Sequence, residues 1–161
     1  MIILGLDPGY AIVGYGVINY EASNFKVLDY DAITTEKDEE FVNRLEAVYD
    51  GVTYLIEKHR PDAVSVESLF WGTNSKTAIL VAQARGVILL AAKKHSIPVY
   101  EYTPLQVKSA VTGYGKATKE QIMEMTRLIL NLREIPKPDD AADALAVAVC
   151  CAHSAASLRK L

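Results

Sequence analysis

Three carboxylates crowd the start of an otherwise apolar segment: Asp139, Asp140 and Asp143, in the run PDDAADALA at residues 138–146. Almost everything after them is Ala, Val, Leu or Cys, so these acids stand at the mouth of a helix destined for a hydrophobic interior. Asp140 and Asp143 are three apart and share a helix face, whereas Asp139 points elsewhere. Two more acids end apolar, strand-like runs. Asp7 closes MIILGLD and is followed by Pro-Gly, and Glu67 closes AVSVE. In open α/β sheets, ligands gather beyond the carboxyl ends of the strands. A helix N-terminus stabilises one nearby anion by about 0.3–1 kcal/mol, too little to offset several carboxylates in a partly dry site. A hard divalent cation does offset them, and Mg²⁺ and Mn²⁺ prefer oxygen ligands. Four acids with no His or Cys beside them point to a two-ion site, with ions about 3.5–4 Å apart acting on a phosphodiester. Each acid alone has a plainer reading: Asp7 as a turn residue, Glu67 as a strand-end charge, Asp140 as a helix cap. Their joint placement is what favours a site.

The elements that must position these acids follow from the apolar patterning. Residues 1–7 read as a buried strand, and VGYGVINY (13–20) and FKVLDYDAITT (25–35) alternate, with EASN between them as turn material. Three sequential strands with short connections imply an antiparallel meander. Residues 38–60 carry helical spacing (Phe41, Leu45, Val48, Val52, Leu55, Ile56), with acids expected in the first turn. A short buried strand is expected at AVSVE, and a long helix over 74–96 capped by Asn74 or Ser75. IPVYEY reads as another strand. TPLQVKSAV reads as a helix with a Thr cap and Pro in its first position. TGYGKAT is a loop, and Thr118-x-x-Gln121 is a capping box opening a helix through Leu132. Residues 137–158 form the last helix. The order β-β-β-α-β-α-β-α-α-α gives a mixed five-stranded sheet with helices on both faces, the order of the ribonuclease H-like fold. The 161 residues suit one domain, without repeats or a linker long enough for a second.

Composition narrows the class. Half of the residues are hydrophobic and 23% are charged, a globular balance. Cys150 and Cys151 are adjacent in an apolar run, which reads as small core residues in a reducing compartment rather than a disulfide framework. His59, His95 and His153 are scattered and read as helix-end or surface residues, without metal-ligand spacing. The N-terminus lacks a basic region before its apolar run, and the stretch at 78–92 is too short for a bilayer and contains Arg85. A soluble cytoplasmic protein with no membrane partner is expected. The net charge of −3 hides an asymmetry: residues 1–70 hold 5 basic and 13 acidic residues, and residues 71–161 hold 12 and 7. Between 71 and 119 there are seven Lys or Arg (Lys76, Arg85, Lys93, Lys94, Lys108, Lys116, Lys119) against Glu101 alone. Such a split suits a basic face on an acidic body, as a nucleic-acid binder needs, although solvated helix faces give the same count.

The segments GLDPGYAIVGYGV, SVESLFWGTN, AQARG, QVKSAVTGYGKATK and DDAADALAVA, in this order over nearly the whole chain, strongly resemble the RuvC family of Holliday junction resolvases. DPG alone is weak, since actin-like ATPases and sugar kinases open similarly; DAADALA at its distance from the other motifs is specific. The resemblance maps the family's catalytic, metal-binding tetrad onto Asp7, Glu67, Asp140 and Asp143. It implies a homodimeric, Mg²⁺-dependent endonuclease, with two ions per subunit and Mn²⁺ as a substitute. Such an enzyme nicks opposed strands of a four-way DNA junction symmetrically and leaves ligatable 5′-phosphates, in recombination and repair. The branch-migration proteins RuvA and RuvB are the partners it suggests.

By the same resemblance, Phe70 is the aromatic placed near the branch point, where stacking on an unpaired base contributes about 1–3 kcal/mol. Trp71, its neighbour, reads slightly better as core. Asn74 is a DNA contact, and the preceding Thr73 departs from the basic residue often found there, which removes one phosphate contact. Lys108 and Lys119 match lysines near the scissile phosphate, with Lys119 stabilising charge on it and Lys108 and Lys116 positioning the strand. Lys116 lies in a Gly-flanked loop, and the Thr118 cap aims a helix N-terminus at an anion. The helix AILVAQARGVILLAA, apolar almost all round, is expected partly at a C2 interface, since two opposed strands require two related sites. The competing readings are a YqgF-type nuclease of RNA processing, disfavoured by FWGTN and GYGKATK, and a junction-binding protein without catalysis; a third, an ATP-binding actin-like domain, needs a second phosphate-binding Gly turn and a much longer chain. An intact tetrad disfavours the second, because clustered acids without a use destabilise a fold.

Overall fold

A computed structural model describes residues 1–68 and 75–158. The elements are β1 (Ile2–Asp7), β2 (Ile12–Glu21), β3 (Asn24–Thr34), α1 (Phe41–His59), β4 (Ala63–Glu67), α2 (Ser75–Lys94), β5 (Val99–Tyr102), α3 (Pro104–Thr112), α4 (Lys119–Ile129) and α5 (Asp139–Leu158). The five strands form one sheet in the order β3-β2-β1-β4-β5. β1, β2 and β3 pair antiparallel, and β4 joins β1 and β5 in parallel. This is the mixed sheet anticipated from the sequence, with the β2–β3 reversal made by Ala22 and Ser23, both at positive φ (49° and 66°).

Strand alternation divides the sheet into two unlike faces. Leu4, Leu6, Val13, Val17, Val64 and Val66 point to one side and form a core with Val48, Val52 and Leu55 of α1 and Ile88, Ala91 and Ala92 of α2. Ile3 and Ile18 point to the other side, into a core made by α5 with Val107 and Val111 of α3 and Leu130 after α4. The positions of β1 and β2 nearest the centre of this second face are glycines, Gly5, Gly14 and Gly16. In β1–β2 register Gly5 stands opposite Gly16, and Asp7 opposite Gly14. A Cβ on Gly5 would lie 2.2 Å from the carbonyl oxygen of Ala144, and one on Gly14 would lie 2.0 Å from that of Asp140. The helix therefore rests on bare backbone. Over Gly5 its contact residues are small, Ala144 and Ala148, and over Gly16 the larger Leu145 fills the space the glycine leaves. Ser65 of β4 completes the floor by donating from its buried hydroxyl to the carbonyl of Val147 at 3.0 Å.

Several local expectations need adjustment. Helix α1 begins at Phe41 and has no acid in its first turn. Asp38 and Glu39 precede it, and Glu40 is its N-cap in an extended conformation (φ −57°, ψ 141°) whose carbonyl accepts from the Arg44 amide. His153 is neither a helix end nor a surface residue: it is half-buried within α5, its ring edge-on to Phe25 at 5.6 Å, with Nδ1 3.1 Å from the Ala110 carbonyl. Helix α2 is buried along one stripe (Ala84, Ile88, Ala91, Ala92), while Ile79 is 62% and Leu90 54% exposed. The Thr118–Gln121 capping box is present, and α3 carries a second, Thr103–Gln106, where only the Thr cap was anticipated. The two cysteines are free and buried in the α5 core.

Candidate active site

The parity that sends Ile3 and Gly5 toward α5 also sends Asp7 there, two residues further along β1. In β4, Ser65 is the register partner of Gly5, so Glu67, two residues beyond, ends its strand beside Asp7 on the same face. Over these strand ends lies the first turn of α5. Because Gly14 lets the Asp140 backbone touch β2 opposite Asp7, the helix brings Asp140 and Asp143 down to the same place. Asp139 turns away and pairs with Lys137 at 2.6 Å.

The carboxylates feel one another. Burial, followed by the charges of Glu67, Asp143 and Asp140, pushes Asp7 up to about 7, against the pull of Lys119. Glu67 is also raised, by burial and then by Asp143, with Lys108 opposing. Asp143 stays above the usual carboxylate range because burial outweighs the salt bridge it receives. That bridge comes from Lys119 Nζ, 3.1 Å from Asp143 Oδ2, and the same contact raises the Lys119 ammonium. The mutual repulsion is stored energy that a cation at this point would release. All four donors are carboxylates, a set that fits a hard divalent ion. Among the described residues, however, no three Asp, Glu, His or Cys side chains already close on a common ligand position.

A cavity of about 260 Å³ opens against this cluster, lined by Glu67, Lys108, Lys119 and Asp143 with an apolar floor of Val107, Ile122 and Ala146. Lys108 enters it from α3 and Lys119 from the first position of α4, so two cations and two acids share one concavity. Lys116 stands exposed on the loop between α3 and α4, which Gly113 enters at φ 70° as the α3 C-cap. Phe70, Trp71, Thr73 and Asn74 lie outside the described residues. The sequence reading missed the glycine floor. Its signal was present as Gly14-x-Gly16 at strand spacing, which marks a close backbone approach rather than a weak strand.

Residues 3–151 match the family model described as crossover junction endodeoxyribonuclease RuvC. A protein of that name from Alkaliphilus oremlandii is 56% identical over 154 residues, covering 96% of this chain and 94% of that protein. The solved structure of Thermus thermophilus RuvC in complex with a Holliday junction substrate superposes with a TM-score of 0.91 at 37% identity, covering 96% and 94% of the two chains. A yeast mitochondrial Holliday junction resolvase, 16% identical, shares the fold with a TM-score of 0.71 over 98% of this chain and 82% of its own.

Proposed function

This chain belongs to the RuvC family of crossover junction endodeoxyribonucleases, and from that membership we propose that it is a metal-dependent endonuclease that resolves four-way DNA junctions. It would cut two opposed strands symmetrically, leaving 5′-phosphates for ligation, in recombination and repair. The observation that carries this reading is the convergence of Asp7, Glu67, Asp140 and Asp143, drawn from three distant parts of the chain. Only a process that repays their repulsion explains keeping all four. We assign these four residues to holding two Mg²⁺ ions, with Mn²⁺ able to replace them. Bound there, the ions supply an activated water and a stabilised leaving oxygen.

The protein's own contribution is positional. The strand ends fix Asp7 and Glu67, and the small-residue floor fixes Asp140 and Asp143. Lys108 and Lys119, which both line the cavity, orient the scissile phosphate, and Lys119 also meets the charge that develops on it. Lys116 adds a backbone contact from its exposed loop, and we assign Phe70 and Asn74 to the branch-point side of the DNA. The whole chain serves as one nuclease domain. Two copies are needed to meet two strands. The exposed apolar residues Ile79 and Leu90 of α2 support an isologous dimer through that helix. We place the enzyme in the cytoplasm, with RuvA and RuvB as partners. The described residues contain no helix long and apolar enough to cross a membrane. Cleavage of a synthetic four-way junction in Mg²⁺, in Ca²⁺ and in EDTA tests the reading. Paired nicks in Mg²⁺ alone are expected, and full turnover in EDTA would end it.

A further inference from the structure

Resting on that reading, we propose that Lys119 occupies an ion position of the carboxylate site in the DNA-free protein and that an arriving phosphate draws it off, so that junction DNA and divalent ion bind cooperatively. Its Nζ lies 3.1 Å from Asp143 Oδ2, in the cavity that Asp143 shares with Glu67. An ammonium there is a compact cation at the place where the donors call for one.

The pair is not needed to hold α4 in place. The reciprocal bonds of Thr118 and Gln121 already cap that helix, and Ile122 and Met123 anchor its inner face. Lys119 has 52% of its side chain exposed, so its four-carbon stem is free to swing toward solvent while its backbone stays fixed. A phosphate entering between Lys108 and Lys119 offers the ammonium a second anion. Once Lys119 turns to it, Asp143 is released to an ion. Because coupling is reciprocal, the ion must tighten DNA binding by the same factor by which DNA tightens ion binding. The arrangement relieves part of the cluster's repulsion when idle and completes the ion site only beside a backbone to be cut.

The test is calorimetric titration of Ca²⁺ into the full-length protein, with and without a four-way junction. The variants are Lys119→Met, Lys119→Gln, Lys108→Met and Asp7→Asn. In the DNA-free state, Lys119→Met and Lys119→Gln should bind Ca²⁺ about tenfold tighter than wild type. The tightening that the junction causes in wild type should shrink in them to less than about threefold. Lys108→Met, which removes an equal charge not bonded to Asp143, should move the DNA-free affinity by less than about threefold. Unchanged Ca²⁺ affinity in both Lys119 variants, or an equal gain in Lys108→Met, would overturn the placeholder. Ca²⁺ binding indifferent to Asp7→Asn would instead overturn the ion-site reading beneath it.

Discussion

The two ends of the sheet handle charge in opposite ways. Where α1 and α2 finish and β4 and β5 begin, several charged side chains have complements. Lys58 and His59 both bond Asp29 Oδ2, at 2.7 and 3.0 Å; His95 stands 3.8 Å from Glu57; and Asp62 accepts the Ile2 amide at 2.7 Å. The basic residues in the last turns of α1 and α2 also suit the negative ends of those helices. At the other end, where β1 and β4 finish, four carboxylates are pressed together, and among the described residues only Lys119 is bonded to one of them. One end is arranged for stability. The other is arranged against it, and only a function that supplies the missing positive charge makes sense of the cost.

The sharpest way to break this contrast is Asp7→Asn. Single-turnover cutting of a four-way junction should fall at least about a thousandfold, some 4 kcal/mol in barrier, while junction binding by gel shift stays within about threefold. Cutting at the wild-type rate would show that the crowded end is not the working end.

Next in size is Gly14→Ala, whose Cβ would stand 2.0 Å from the Asp140 carbonyl and force α5 off the sheet. A loss of about 1–3 kcal/mol in urea denaturation is expected, together with impaired cutting. Gly86→Ala on α2, where a Cβ meets nothing within 4 Å in its own protomer, should instead gain about 0.5–1 kcal/mol when unfolding is measured on the dissociated protomer. Matching outcomes for the two glycines would sink the close-approach account.

The contrast sharpens through pH. Asp7, held at about 7 against an ordinary 3.8, makes the folded state take up a proton that the unfolded chain has already lost. In metal-free buffer its contribution therefore worsens as pH rises from about 4 to about 7. Asp7→Asn should raise stability near pH 7.5 by about 1–2 kcal/mol and remove that slope, as read by thermal melts in EDTA. Asp29 has the reverse sign. Burial pushes it up, but the bonds from Lys58 and His59 outweigh burial and hold it low, so its contribution is present above its ordinary value and fades as pH falls below it. Asp29→Asn should cost less than about 1 kcal/mol at pH 7, and nothing measurable in junction cutting.

The frame of this molecule was legible because its signals are local. The apolar run of β1, the alternation in β2 and β3, the Thr118–Gln121 box and the Thr103-Pro104 start each depend on a few adjacent residues. The acids were legible as candidates because Asp7 and Glu67 end apolar runs and Asp140 and Asp143 share a helical face. Their distance from one another was not, because it is set by residues notable for what they lack. Gly5, Gly14 and Gly16 carry no side chain, and in one dimension they read only as poor strand formers. The start of α1 was misread because Asp38, Glu39 and Glu40 look like first-turn acids until the Arg44 amide is seen to bond the Glu40 carbonyl. The pairing of Lys119 with Asp143 joins residues 24 positions apart and leaves no trace in spacing.

The parity of β1 also limits how such a protein can change length. Ile3, Gly5 and Asp7 face α5, while Leu4 and Leu6 face α1 and α2. Deleting one residue anywhere before Asp7 would turn the acid into a greasy layer and set a leucine under the helix, undoing the carboxylate cluster and the core at one stroke. Relatives of this chain should therefore lengthen or shorten at connections such as residues 8–11 and 35–40, and keep the first strand to a fixed count.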